Sequence, residues 1–211
     1  MSEYAAQYIR GLQENGMIST AKHFPGHGDT QTDSHSSLAM IPSDSSRLWS
    51  VELKPFIDVA NAGVDAVMIA HVHAPDFQPE SDIPATLSKF WVTDILKNKI
   101  GYKGIIITDG MGMGGVTKNY ADDYAIIEAV KAGCDVIIQN YDIVGSINAI
   151  EDAVKNNEIS IEQINSSALK MLKMKENAGL HLNPFVDLDF MMKTIGTVSY
   201  THLTLPTIFR V

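Results

Sequence analysis

Four short apolar runs, each followed after a turn by a helical stretch, limit what this chain can fold into. They are Met17 to His23, Val64 to Ala70, Gly104 to Asp109 and Asp135 to Gln139. The second and third are almost continuously apolar instead of alternating, the pattern of strands buried on both faces, as in parallel sheets. Elsewhere the spacing turns helical. Tyr4 to Gln13 carries Tyr4, Tyr8, Ile9 and Leu12 on one face and stops at Asn15-Gly16; Leu53 to Ala62 tolerates Pro55 in its first turn and stops at Gly63. Ser88 caps a helix running through Lys99 to a stop at Gly101, and Asp122 to Ala132 is stopped by Gly133. Val144 to Lys155 and Ile161 to Asn177 follow, the latter opened by the capping box Ser160-Ile161-Glu162-Gln163 and ended by Gly179.

Strand-then-helix units of roughly forty residues predict an α/β architecture, first of all a TIM-type (β/α) barrel. A closed barrel needs eight strands and about 250 residues. With 211 residues, four strands and a leading helix, the chain is expected to form the last four β/α units over residues 1–180, followed by a post-barrel segment, 181–198. The rival is a doubly wound open sheet, but no Gly-rich phosphate loop opens the first helix. Residues 199–211 continue no helix. Within them Tyr200-Thr201-His202-Leu203-Thr204-Leu205-Pro206-Thr207 resembles translated sequencing-adapter read-through, so the tail is expected to be non-native.

A formal charge of −9, a pI near 5.1 and the lack of any basic block argue against nucleic acid or an anionic membrane as partner and favour a small neutral or polar substrate. No apolar run reaches membrane-spanning length, and Met1-Ser2-Glu3-Tyr4 has neither a basic nor an apolar signal region. Cys134 is the single cysteine. It sits in an apolar run and reads as a buried structural thiol.

The chemistry concentrates in Lys22-His23-Phe24-Pro25-Gly26-His27-Gly28-Asp29-Thr30-Gln31-Thr32-Asp33-Ser34-His35. Pro25, Gly26 and Gly28 forbid a helix, so these polar groups leave a strand end and continue along a loop, where α/β barrels keep their active sites. Asp33 and His35, two apart on a loop, let a carboxylate fix an imidazole that titrates near neutrality, a suitable proton shuttle. A polar loop whose His residues satisfy backbone groups has the same spacing. A metal held by His23, His27, Asp29, Asp33 and His35, or by the strand-end pair His71 and His73, is the weaker alternative, because Pro25 and Gly26 deny His23 and His27 the helical ligand geometry. His71 also fits a His packed beneath the site. Asp109 ends a buried strand ahead of the Gly-rich turn Gly110 to Gly115, whereas Asp65 and Asp135 begin strands at the opposite end and read as structural.

Lys22 to Thr30, followed by Asp33-Ser34-His35, resembles the signature of glycoside hydrolase family 3 in its β-N-acetylhexosaminidase branch, and Ile107-Thr108-Asp109-Gly110-Met111 is similar to that family's nucleophile segment. The resemblance covers residues 1–180 in order. It implies an eight-stranded (β/α) barrel and a retaining mechanism in two displacements. Asp109 would be the nucleophile, His35 the acid/base and Asp33 its orienting partner. Lys22 and His23 would bind sugar hydroxyls, with His71 and Met111 as further candidate substrate contacts. No metal or organic cofactor is implied. Because the β-glucosidase branch lacks the Asp-His pair, the implied substrate is a terminal β-linked N-acetylglucosamine, as in peptidoglycan fragments or chitin oligomers. Phosphorolysis and an inactive half-barrel are the alternatives.

Overall fold

A computed structural model describes residues 2–30, 32–42, 44–79, 82–139 and 141–195. In chain order it contains α1 (Ser2–Glu14), β1 (Thr20–Phe24), a short β2 (Ala39–Met40), α2 (Ser45–Arg47) running into a π-turn at Leu48–Glu52, and α3 (Lys54–Asn61). Then come β3 (Ala66–Ile69), a short β4 (Val72–His73), a 3₁₀ turn at Ala85–Leu87, a π-helix over Phe90–Lys99, β5 (Ile105–Gly110) and α4 (Gly114–Thr117). Last are α5 (Asp122–Ala132), β6 (Val136–Ile138), α6 (Ile143–Lys155), α7 (Ile161–Asn177) and α8 (Leu188–Thr194). The chain divides into two compact units, Met1–Leu172 and Lys173–Val211, and the sheet lies in the first. The tail expected over 199–211 lies outside the described residues.

The four expected strands form one parallel sheet in the order β1-β3-β5-β6, with Val67 opposite Ile106 and Met68 opposite Ile107. Neighbours in the sheet are successive β/α units and the order never reverses. A doubly wound sheet requires such a reversal, so the winding is that of a TIM-type barrel. β2 pairs with β4 in parallel, Ala39 opposite Val72 and Met40 opposite His73, which pins the far end of the loop that leaves β1.

The two faces of the sheet differ. Val67 and Ile106 are fully buried under the helices, whereas their neighbours Met68 and Ile107 are only half-buried. Successive strand residues alternate between faces, so the half-open face is the one that carries Asp109. The continuous apolar runs predicted burial on both faces; in β3 and β5 the side carrying Val67, Ile69 and Ile106 is buried, whereas the Asp109 side is buried only at Ala66 and Ile105. The first strand is also shorter than expected. Met17 to Ser19 stay outside it because the Ser19 amide is taken by the Asp65 carboxylate at 2.8 Å instead of by a neighbouring strand.

An aromatic cluster fixes the end of β1. Phe24, completely buried, meets Phe56 edge-on at 5.3 Å and Trp91 at 6.0 Å between ring centroids. The Trp91 indole N–H is satisfied by Gln78 Oε1 at 2.7 Å. Full burial of such a side chain is worth roughly 1.5–3 kcal/mol, and each well-set aromatic pair about 0.5–1.5 kcal/mol more. At the strand N-termini, Asp65 also accepts from Ser19 Oγ and Gln13 Nε2, while Asp135 accepts from Ile106 N, Ser167 Oγ and Lys170 Nζ. Both carboxylates are therefore structural. Burial pushes the Cys134 thiol up to about 12, far from the range of a nucleophile.

Candidate active site

Every sequence-predicted site residue lies at the C-terminal edge of the sheet or on a loop leaving it. Asp109 stands one residue before the end of β5 on its half-open face, with its side chain 18% exposed. Its Oδ1 accepts from the Gly110 amide at 2.8 Å, and its Oδ2 lies 3.8 Å from His23 Nε2. That separation is too long for a hydrogen bond but short enough for charge to be felt. Burial lowers the His23 pKa and the Asp109 charge only partly opposes this, so a neutral imidazole stands beside the carboxylate at pH 7. The peptide bonds Lys22–His23 and Phe24–Pro25 are both cis.

Lys22 and His23 border an open cavity of about 460 Å³ whose other walls include Gly26, Asp29, Arg47, Val51 and Pro55. Gly26 adopts φ +143°, and a Cβ there would meet the Glu52 side chain at 2.9 Å. Only glycine satisfies both demands. The Arg47 guanidinium ties Asp29 to the buried Glu52, joining the loop to the π-turn. The bridge joins residues 18 and 5 apart and has no spacing pattern of its own in the sequence. Its available signal was Asp44-Ser45-Ser46, a helix start whose Asp44 side chain accepts from the Arg47 amide.

Asp33 and His35 pair as their spacing predicts. One carboxylate oxygen, Asp33 Oδ1, accepts from both His35 Nδ1 at 2.8 Å and the His35 amide at 3.0 Å. The backbone bond first, and the ring bond second, draw the Asp33 carboxyl below its ordinary range. Both side chains are more than two-thirds exposed. His27 is occupied otherwise, Nδ1 with Thr30 Oγ1 at 2.6 Å and Nε2 with the buried Ser34 hydroxyl at 2.9 Å. Among the described residues no three His, Cys, Asp or Glu side chains are arranged to hold a metal ion.

Two expected substrate contacts, His71 and Met111, are buried in the structure. His71 is completely buried, with Nε2 2.9 Å from the Gly110 carbonyl and Nδ1 2.8 Å from Thr86 Oγ1. A carbonyl only accepts, so the ring proton sits on Nε2, and burial lowers the His71 pKa. It is the His beneath the site. Met111, 3% exposed, packs into a cluster with Leu87, Val116, Ala125 and Ala129. An apolar side chain following a strand end was drawn into the α5 layer and away from the open face. Gly114 and Gly115, read from the sequence only as part of a permissive turn, donate their amides to the carbonyls of His35 and Ser34.

Residues 1–174 match the Glycosyl hydrolase family 3 N terminal domain. Curated relatives include a beta-hexosaminidase of Idiomarina loihiensis, 36% identical over 72% of this chain and 44% of the relative, and one of Psychromonas ingrahamii, 32% identical over 85% and 52%. The chain thus spans about half the length of these relatives. Among solved structures, a glycoside hydrolase family 3 beta-N-acetylglucosaminidase from Paenibacillus superposes with a TM-score of 0.81 at 36% identity, over 87% of this chain and 35% of that one.

Proposed function

The chain belongs to glycosyl hydrolase family 3, and from that premise we propose that its residues serve retaining hydrolysis of a terminal β-linked N-acetylglucosamine, with Asp109 as nucleophile and His35 as acid/base. The observation that carries the reading is the Asp33–His35 pair on a loop whose His35 carbonyl accepts from Gly114 N, five residues after Asp109. In the first displacement an Asp109 oxygen attacks the anomeric carbon while the imidazolium of His35 gives its proton to the leaving oxygen. In the second, neutral His35 takes a proton from water, whose oxygen displaces Asp109 and regenerates the carboxylate. Asp33, held ionised by its bonds to His35, fixes the ring so that Nε2 is the nitrogen that exchanges the proton. Lys22 and neutral His23 bind sugar hydroxyls from the β1 side. The similarity to beta-hexosaminidases and to the Paenibacillus beta-N-acetylglucosaminidase supports the sugar, and peptidoglycan fragments or chitin oligomers are the substrate class.

The test is product analysis in a protein that supplies the remaining barrel strands. Hydrolysis of an aryl β-N-acetylglucosaminide should release the β-anomer first by proton NMR, and Asp109→Ala should abolish turnover. Initial release of the α-anomer, or more than a few per cent activity in Asp109→Ala, would remove Asp109 as nucleophile. A neutral imidazole does not repel phosphate as a carboxylate acid/base would, so the reaction is also run in phosphate buffer. Accumulation of the sugar 1-phosphate there would replace hydrolysis by phosphorolysis.

A further inference from the structure

The turn that bears Asp33 and His35 is internally bonded. Asp33 Oδ1 holds the ring and the amide of His35, and the Asp33 carbonyl accepts from Ser36 N, Ser37 N and Ser36 Oγ. None of these bonds says where the turn stands relative to Asp109. That is decided by tethers to groups outside it. One is the bond between Ser34 Oγ and His27. The other two come from the segment that follows Asp109, where Gly114 N–H donates to the His35 carbonyl and Gly115 N–H to the Ser34 carbonyl, each at 3.0 Å. The first amides of a helix have no partner within it, and α4 opens at Gly114, so both donors are available.

The fit leaves little space at either position. A Cβ at residue 114 would lie 2.6 Å from the Ser36 carbonyl oxygen and 2.8 Å from that of His35, main-chain atoms that cannot rotate aside. At residue 115 it would lie 3.0 Å from the His71 Cβ and 3.1 Å from the Ser34 carbonyl oxygen. The other end of the segment is held as well. Met113 N donates to the Gly110 carbonyl, which also accepts from His71 Nε2.

We propose that Gly114 and Gly115 are positioning residues, a main-chain clasp that sets the His35 imidazole against the Asp109 carboxylate. The inference rests on the roles assigned to those two side chains above. Since a misplacement of about 1 Å can cost on the order of a hundredfold in rate, a side chain at 114 should impair catalysis although it touches neither substrate nor the Asp33–His35 bond.

Two measurements test this. Hydrogen exchange on the chain itself should find the Gly114 and Gly115 amides at least about a hundredfold slower than their intrinsic rates. Gly114→Ala should accelerate exchange at Gly115 and shift the signals of residues 33–37. Gly11→Ala, whose Cβ points into open space on α1, should do neither. Intrinsic-rate exchange in the unsubstituted chain would overturn the clasp, whether or not Gly114→Ala folds. In a protein with the complete barrel, Gly114→Ala should lower kcat on glycosides with poor leaving groups about ten- to hundredfold, with less effect on activated aryl glycosides and little on KM. Equal loss on both substrate types, or no loss, would reduce the clasp to a structural role. The exchange results do not depend on the nucleophile, so a failure of Asp109→Ala to abolish turnover would sink the functional reading while leaving the clasp to be judged on its own.

Discussion

His35 and His71 lie close to the same main-chain turn yet face opposite demands. His35 is exposed and bonded through Nδ1, which leaves Nε2 for the proton transfer proposed above. His35→Ala is therefore expected to slow glycosylation of substrates with poor leaving groups by about 10²- to 10⁴-fold and of activated aryl substrates far less, a difference to be read by single-turnover kinetics. His71 is buried with its pKa lowered, which gives the pH dependence of stability a definite sign. Below the ordinary His value of about 6.5 the unfolded chain binds a proton that the native ring refuses. Stability should thus be complete above that pH and fall as pH is lowered through it. Thermal melts between pH 7 and pH 5 should show this decline, and His71→Gln should flatten it. His23, also lowered by burial, accounts for part of the remaining slope. An unchanged slope in His71→Gln would mean that His71 is not the titrating group. The spacing of Asp33 and His35 was enough to foresee their pairing, since two loop residues that close meet through local geometry. For His71 the sequence left burial and substrate contact both open, and the burial of Met111 was not legible, because each depends on where β3 and β5 stand beneath helices distant in sequence.

Elements with strong local signals came out as read. α5 and α7 have the predicted limits, Asp122–Ala132 and Ile161–Asn177, because stop glycines and a capping box act within a few residues of the boundary. The Ser160 hydroxyl accepts from the Gln163 amide at 3.1 Å, and Ser160→Ala is expected to cost about 0.5–2 kcal/mol, seen as a lowered urea midpoint with unchanged slope. The π-type pairing of Phe90–Lys99, with Ile100 N donating to the Ile95 carbonyl, was read as an ordinary helix, since a period of 3.6 and a slightly wider one place the same apolar residues inward. The short β2–β4 ladder has no signal of its own and follows from the path of the loop. Phe24 joins β1, an edge strand, to the aromatic cluster under the sheet. Phe24→Ala should cost about 3–5 kcal/mol in equilibrium unfolding and should disturb the adjoining His23. A loss below about 1 kcal/mol would mean that the strand is held from elsewhere.

At the scale of the molecule, β1 and β6 are the edges of the sheet among the described residues, the Asp109 face is half-open, and Tyr141, Ile143, Val144 and Ile147 beside β6 are each more than half exposed. Open edges and apolar patches of this kind favour association. Expressed as written, the chain is expected to self-associate in sedimentation velocity and to hydrolyse an aryl β-N-acetylglucosaminide at close to the background rate. A monomer with a cooperative melt and robust turnover would contradict this. The division of labour between strand and loop also bears on how such a scaffold can be altered. The residue proposed as nucleophile is continuous with the packed sheet, so changing its surroundings means repacking a strand. The proposed acid/base rides on a self-bonded five-residue turn, residues 33–37, attached to the body by two main-chain hydrogen bonds and one serine hydroxyl. The two main-chain tethers place no demand on side chains, so a variant library in the turn that keeps the Ser34 hydroxyl could exchange the proton donor and leave the inherited core untouched.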